Sequence, residues 1–224
     1  STIEHRLTSS EASQRSFIKL LEDQGYQYRY LAAPQIAGGL LESGGYRLLI
    51  LPYAQSLSAA ESTAIERWVQ AGGIVLADLR PGVYDEHLRA RRRGSLDRLF
   101  GIERRDVAWT QHVRAGLAGD GLSDLLPGAK VDPAVRLKGG EALMQRGDVP
   151  LWVTRQVGEG RALLLNFALD PYFELRKEAR EEPFGDLLRT VLGDLGIRPR
   201  VRVQDDTGQR LRAQEVVAFR DGEL

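Results

Sequence analysis

The clearest structural signal in this chain is residues 47–78, RLLILPYAQSLSAAESTAIERWVQAGGIVLAD. The stretch holds two apolar runs, Leu48–Leu51 and Ile74–Ala77, typical of parallel strands that are covered on both faces. Between them, Ser58 and Glu61 have the spacing of a capping box, in which each side chain binds a free backbone N–H at a helix start. Strand, helix and strand with short connections predict a right-handed crossover in a parallel sheet.

The helix of this unit is predicted to bury one apolar stripe. Ala64, Ile65, Trp68 and Val69 recur at helical spacing, and the glycine pair at residues 72–73 ends the helix. We therefore expect Trp68 to lie in the core.

Further elements are predicted on both sides of this unit. A helix with apolar residues at helical spacing ends at Gly25, and tyrosines at positions 26, 28 and 30 then alternate with polar residues as in a half-buried strand. The irregular middle, residues 80–157, predicts loops and some antiparallel strands. Residues 161–167 predict another core strand and residues 183–195 a helix. The alternating tail predicts a small antiparallel appendage, so we divide the chain into an α/β domain, residues 1–198, and the start of a C-terminal β appendage, residues 199–224.

Composition argues against several classes of function. The 224 residues carry a formal net charge of zero, which argues against a dedicated nucleic-acid or membrane-surface binder. The absence of cysteine excludes a thiolate nucleophile, cysteine-ligated zinc and disulfides. No apolar run is long enough for membrane insertion, so we expect a soluble protein, with the cytoplasm slightly favoured. Because the chain does not begin with Met, we expect it to be a piece of a longer protein.

No metal, cofactor or catalytic residue is predicted. Asp85, Glu86 and His87 are potential metal ligands, but adjacent side chains point in different directions, which favours a solvated loop in which Asp85 caps the next turn. The other histidines are His5 and His112, and no histidine has a serine at nucleophile-elbow spacing.

A cluster of arginines follows this loop. Arg89, Arg91, Arg92 and Arg93 could bind a phosphate or an acidic partner surface. Without interleaved aromatic residues and with zero net charge, a mobile solvated loop is the favoured interpretation, and no nucleic acid is predicted as a partner.

Five segments, in this order, resemble the trimerisation domain of family 42 β-galactosidases, a non-catalytic relative of class I glutamine amidotransferases. They are residues 48–52, 68–78, 80–86, 96–102 and 158–166. The resemblance implies an α/β fold of the glutamine amidotransferase-like type, a flavodoxin-like, doubly wound, mainly parallel sheet.

The chain departs from the catalytic relatives at one turn. In the amidotransferases a cysteine at a sharp strand-to-helix turn is activated by a histidine. Here the corresponding turn follows residues 77–80 and has no cysteine, and Tyr84 is the only other nucleophile nearby. The chain also lacks the glycoside hydrolase barrel that precedes the domain in family 42 enzymes. The resemblance therefore implies no catalysis by this chain alone.

Polar residues are predicted beyond the carboxyl ends of the parallel strands, where ligands of open α/β sheets bind. The candidate ligand-binding residues are Tyr53, Gln55, Arg80, Tyr84, Asn166 and Tyr172. Tyrosines, amides and an arginine suit a sugar or a carboxylate. The alternative is that these residues are vestiges of an ancestral active site, now filled by structural hydrogen bonds or by a neighbouring domain.

Three hypotheses of function follow. The first is a non-catalytic structural or interaction domain of a larger, carbohydrate-processing protein, which self-associates or packs against another domain of its parent. The second is a ligand-binding or hydrolytic module for a sugar-like substrate, and the third is a domain of a transport or gliding-type assembly. The loop at residues 80–94 and the middle segment are the expected interfaces. Trp109 and the apolar run 122–126 are candidate anchors there, unless they cover one end of the sheet.

Overall fold

The computed structural model describes residues 9–104, 113–114, 126–178, 182–199 and 204–208. The predicted anchor Trp109, residues 122–125, His5, His112 and most of the predicted C-terminal appendage lie outside the described residues. Leu126, the last residue of the predicted apolar run, is fully buried and belongs to the core.

Seven described helices and nine described strands follow one another along the chain. The helices are α1 (Ser9–Asp23), α2 (Ala33–Ala37), α3 (Leu40–Ser43), α4 (Ala59–Gln70), α5 (Asp97–Phe100), α6 (Tyr172–Lys177) and α7 (Glu182–Asp194). The strands are β1 (Leu48–Leu51), β2 (Ile74–Ala77), β3 (Ile102–Arg104), β4 (Val113–Arg114), β5 (Lys130–Val131), β6 (Val135–Leu137), β7 (Glu141–Arg146), β8 (Val149–Val157) and β9 (Gly160–Leu165). None of the described helices has the length and apolar character that a membrane crossing requires.

A mixed five-stranded sheet forms the centre of the fold, in the order β1-β2-β9-β8-β7. Strands β1, β2 and β9 are parallel to one another, whereas β8 and β7 are antiparallel to their neighbours. Two small antiparallel pairs, β3 with β6 and β4 with β5, lie in the middle of the sequence. The predicted α/β class, the parallel strands around residues 47–78 and the antiparallel strands of the middle segment are confirmed.

Successive side chains of a strand point to opposite faces of the sheet, and both faces of this sheet are covered by helices. Along β2, Ile74 and Leu76 belong to an apolar cluster that includes residues of α1, α6 and α7. Val75 and Ala77 belong to a second cluster, which includes residues of α4 and α5. All four residues of β2 are buried, as expected for a central strand with helices on either side.

Helix α4 confirms both local signals of the sequence. The Ser58 N–H donates to Glu61 Oε2 at 2.8 Å, and the Glu61 N–H donates to Ser58 Oγ at 3.1 Å. Trp68 is only 4% exposed. Its ring lies so close to Gly73 that a Cβ there would come within 2.3 Å of it, so the turn after α4 needs a glycine for packing.

The predicted tyrosine strand is wrong. The residues after α1 belong to no strand, and β1 is the outer strand of the described sheet on this side. Tyr28 and Tyr30 are 40% and 74% exposed. Their rings contact each other edge-to-face, with 5.6 Å between the ring centroids. Alternation predicts an extended chain but does not supply the neighbouring backbone that a strand requires. The Tyr26 hydroxyl instead donates to the carbonyl of Ile197 at 3.2 Å.

Candidate functional site

A buried carboxyl lies at the carboxyl end of β2, in the centre of the parallel strands. Asp78 follows β2 directly and is fully buried. It accepts short hydrogen bonds from the Ser13 hydroxyl of α1 and from the backbone N–H of Tyr53, and a third from the Leu169 N–H at 3.5 Å. Asp78 thus joins α1 to the loops that follow β1 and β9.

The surroundings of Asp78 favour its protonated form. Burial raises the pKa of this carboxyl to about 7, and the nearby charge of Asp170 acts in the same direction. The hydrogen bonds from Ser13, Tyr53 and Leu169 oppose the rise in pKa. Near pH 7 the protonated and ionised forms of this carboxyl are therefore present in comparable amounts.

Arg80 occupies the sharp turn that follows β2. Its φ of 60° lies in the left-handed region, where a residue with a side chain is strained. The side chain is buried, and its Nε donates to Asp132 Oδ2 at 2.9 Å. Arg80 therefore points into the protein and forms an ion pair there.

The ion pair continues into a buried network of two arginines and two aspartates. Arg104 Nε donates to the same Asp132 oxygen at 3.3 Å, and Arg104 Nη1 forms an ion pair with Asp97. The other Asp97 oxygen accepts from the Gly94 N–H at 2.8 Å. These four side chains are each 1–8% exposed. Breaking such a buried network by removing one member leaves a charge uncompensated.

The charges of this network hold Asp132 ionised. Burial, the largest single effect, acts to raise its pKa, but the hydrogen bond and charge of Arg80 and the charge of Arg104 together lower the pKa below its usual range. The Ala134 N–H adds a hydrogen bond to Asp132 Oδ1 at 3.0 Å. Asp132 is thus the ionised acceptor that both arginines share.

The loops after β1 and β2 pair with each other beyond the sheet. Gly82 N–H donates to the Ala54 carbonyl at 2.9 Å, Tyr84 N–H to Gln55 at 2.8 Å, and Leu57 N–H to Tyr84 at 3.2 Å. The two loops thus pair in parallel over a short stretch, and the bonds hold residues 82–84 against the loop that follows β1. The loop at residues 80–94 is therefore attached to the core at its base.

The structure divides the six predicted site residues into two groups. Tyr53, Gln55 and Tyr84 are half-buried and lie together in the paired loops. The other three are buried: Arg80, Asn166 and Tyr172.

The polar groups of the buried residues bind other parts of the chain. Asn166 Nδ2 donates to the carbonyls of Asp132 and Pro150, both at 2.9 Å, so Asn166 joins Arg80 beside Asp132. The Tyr172 hydroxyl donates to Asp23 of α1 at 3.1 Å, and its ring packs on Phe184. These bonds agree with the alternative interpretation from the sequence, in which structural hydrogen bonds fill an ancestral active site. Ligand binding at this edge stays a prediction.

Sequence reasoning missed the acidic members of the arrangement. Asp78 could have been found, because it directly follows a fully apolar strand at the edge where ligands bind in such sheets. Asp132 and Asp97 come from the irregular middle segment, where no periodic pattern indicated which carboxylates would reach Arg80 and Arg104.

Two other features bear on ligand binding. The described residues contain no group of three His, Asp or Glu side chains that could hold a metal. Asp85 caps its own loop, as predicted, by accepting from the N–H groups of His87 and Arg89. A cavity of about 310 Å³ lies at the amino ends of the parallel strands, between Arg47, Gly72 and Arg161, opposite the predicted site.

Several solved structures share this fold. A β-galactosidase from Bacillus circulans sp. alkalophilus matches with a TM-score of 0.62 at 15% identity, over 92% of this chain and 30% of that protein. Gan42B, a GH42 β-galactosidase from G. stearothermophilus, matches with a TM-score of 0.58 at 15% identity, over 90% of this chain and 28% of that one. The exo-β-1,4-mannosidase Op5Man5 from Opitutaceae bacterium strain TAV5 matches with a TM-score of 0.56 at 16% identity, over 83% of this chain and 33% of that protein.

At these identities the structures show a shared fold, and this chain spans a third or less of each protein's length. No curated protein is significantly similar to the chain in sequence. A family model, in contrast, matches residues 42–180, which is more than half of the 224 residues, and its description is β-galactosidase trimerisation domain. The chain therefore belongs to the β-galactosidase trimerisation domain family.

Proposed function

We propose that this chain is a non-catalytic module of a larger, carbohydrate-processing protein, and that it holds copies of that protein together by self-association. Membership of a family named for trimerisation supports the second part. The β-galactosidase description of the family supports the carbohydrate-processing parent, and the observation that carries the non-catalytic role is the buried ion pair between Arg80 and Asp132. In this pair the Arg80 and Asp132 side chains bind each other, at the edge where α/β sheets bind their ligands.

We further propose that the fold is of the flavodoxin-like, glutamine amidotransferase-like type. Three parallel strands with helices on both faces support this assignment. On this proposal the turn that follows residues 77–80, the last of which is Arg80 with its φ of 60°, corresponds to the sharp turn where catalytic relatives carry a cysteine. Arg80, which is buried against Asp132, offers no nucleophile to this turn.

A sugar-like ligand is the second candidate. Tyr53, Gln55 and Tyr84 are half-buried neighbours in the paired loops, and their rings and amide are groups that suit a sugar. This proposal gives those side chains a binding role, with no chemistry.

One set of assays tests both candidates. We expect the purified chain to release no ammonia from glutamine and to hydrolyse no model galactoside, because it has no cysteine and its strand-end arginine is paired. Ammonia release or galactoside hydrolysis that is lost in Asp78→Asn would contradict the non-catalytic role. Galactose titrations of the chain and of Tyr84→Ala, with Tyr28→Ala as a control, test the second candidate. It is abandoned if Tyr84→Ala binds galactose as the unchanged chain does.

A further inference from the structure

Leu88 lies at the tip of the loop that follows β2 and projects into solvent. It is 73% exposed, compared with 49% for Leu143 and 40% for Leu137. The neighbours on either side, His87 and Arg89, are exposed as well. About three quarters of Leu88 is thus left in water, although burying a leucine is worth about 1.5–3 kcal/mol.

The loop that carries Leu88 is held rigidly at its base. Asp85 Oδ1 accepts from the N–H of His87 at 2.9 Å and of Arg89 at 2.8 Å. The Asp85 N–H donates to the Arg89 carbonyl at 3.0 Å, and the Leu88 N–H donates to the Asp85 carbonyl at 3.0 Å. The Ser56 hydroxyl donates to the same Asp85 carbonyl at 2.6 Å, which attaches the loop to the segment after β1. These bonds fix the backbone from which the Leu88 side chain projects.

The backbone of Leu88 is also in an unfavourable conformation. Its φ is 60°, in the left-handed region, which costs an ordinary residue roughly 1–2 kcal/mol. Glycine or asparagine adopts this conformation readily and would suit a turn in water better. Neither packing nor turn geometry therefore accounts for a leucine here. Strained backbone positions of this kind cluster at functional sites, where the surrounding structure maintains them.

We infer that Leu88 is an anchor through which this chain contacts a second copy of itself. The inference rests on the proposed function, since it names a surface for the proposed self-association. A closed ring of three needs a heterologous contact, in which one surface of each copy meets a different surface of the next copy. A single apolar side chain that projects from a rigid loop has the form of one half of such a contact.

The surroundings of Leu88 resemble the composition of an interface. Glu86, His87 and Arg89 are exposed polar residues around the leucine, and Arg92 and Arg93 are exposed farther along the loop. Interfaces combine an apolar centre with a polar rim, and a few central side chains carry most of the binding energy. The loop thus offers one anchor with a rim of both charge signs.

The test compares Leu88→Asn with Leu143→Thr by sedimentation velocity across a wide range of concentrations. Asn tolerates φ of 60°, so Leu88→Asn is expected to fold, and Leu88→Gly is a second variant that fits this backbone. Leu143 is an exposed leucine on β7, so Leu143→Thr controls for loss of surface apolar area. We expect both Leu88 variants to weaken self-association at least about tenfold and Leu143→Thr to leave it unchanged.

The outcomes separate this inference from the proposed function. If the unchanged chain associates and the two Leu88 variants associate equally tightly, the assignment of Leu88 is wrong while self-association stands. If the unchanged chain is a monomer at every concentration, the proposed self-association is wrong, and the role of Leu88 is wrong with it. Thermal unfolding followed by circular dichroism confirms that the variants compared are folded.

Discussion

Asp78 shows how one buried group links local chemistry to the stability of the whole chain. Its pKa is about 7 in the folded protein, compared with 3.8 for an unperturbed aspartate. Between these two values the folded protein holds a proton that the unfolded chain releases. The contribution of Asp78 to stability is therefore fully present below about pH 4 and is lost as the pH rises through about 7.

We predict that Asp78→Asn removes this part of the pH dependence. Asparagine keeps the size of the side chain and can still accept from the Tyr53 N–H, but it does not titrate. Between about pH 5 and 7, the free energy of unfolding of the unchanged chain should fall relative to that of the variant by roughly 1 kcal/mol per pH unit. Urea denaturation at several pH values measures the difference, and parallel curves would contradict the assignment.

The candidate site could be predicted from sequence only in part. Arg80 and Asn166 follow strands, so their place at the carboxyl edge was predictable from the apolar runs that precede them. Their burial was not predictable, because the shared partner Asp132 is separated from Arg80 by 52 residues, in a segment without periodicity. Nor does any residue type near Leu88 indicate that its backbone adopts a left-handed conformation.

Helix α4 shows what is predictable at the scale of one element. Its capping box and its apolar stripe are local patterns, and both are present in the structure. The tyrosines after α1 show the limit, since alternation also occurs in a segment that belongs to no strand. Local pattern therefore predicts the conformation of a segment, whereas pairing depends on residues elsewhere in the chain.

We predict that Trp68→Ala destabilises the chain by about 3–5 kcal/mol, as truncation of buried aromatic side chains does. The ring is 4% exposed and packs directly on Gly73, so its removal leaves a cavity between α4 and the turn before β2. The control is Thr63→Ala on the exposed face of the same helix, which should change stability little. Equal denaturation midpoints for the two variants would show that the buried face of α4 has been assigned wrongly.

At the scale of the whole molecule, buried ion pairs occupy the carboxyl edge of the sheet, and hydrogen bonds hold the loop at residues 80–94 beyond it. The buried network around Asp132 stabilises the carboxyl edge of the sheet and joins the middle segment to it. The loops after β1 and β2 pair above this edge and carry Leu88 outward. This arrangement suits a scaffold that holds a contact surface in a fixed position, which is the role proposed for the chain.

The most direct test of that role is the mass of the chain in solution. We predict that sedimentation equilibrium of the purified chain gives a concentration-dependent mass that rises towards three times the 24.9 kDa of one chain. A mass that stays at one chain throughout would contradict self-association. A limiting mass of two chains would contradict the three-fold ring, and with it the heterologous contact assigned to Leu88.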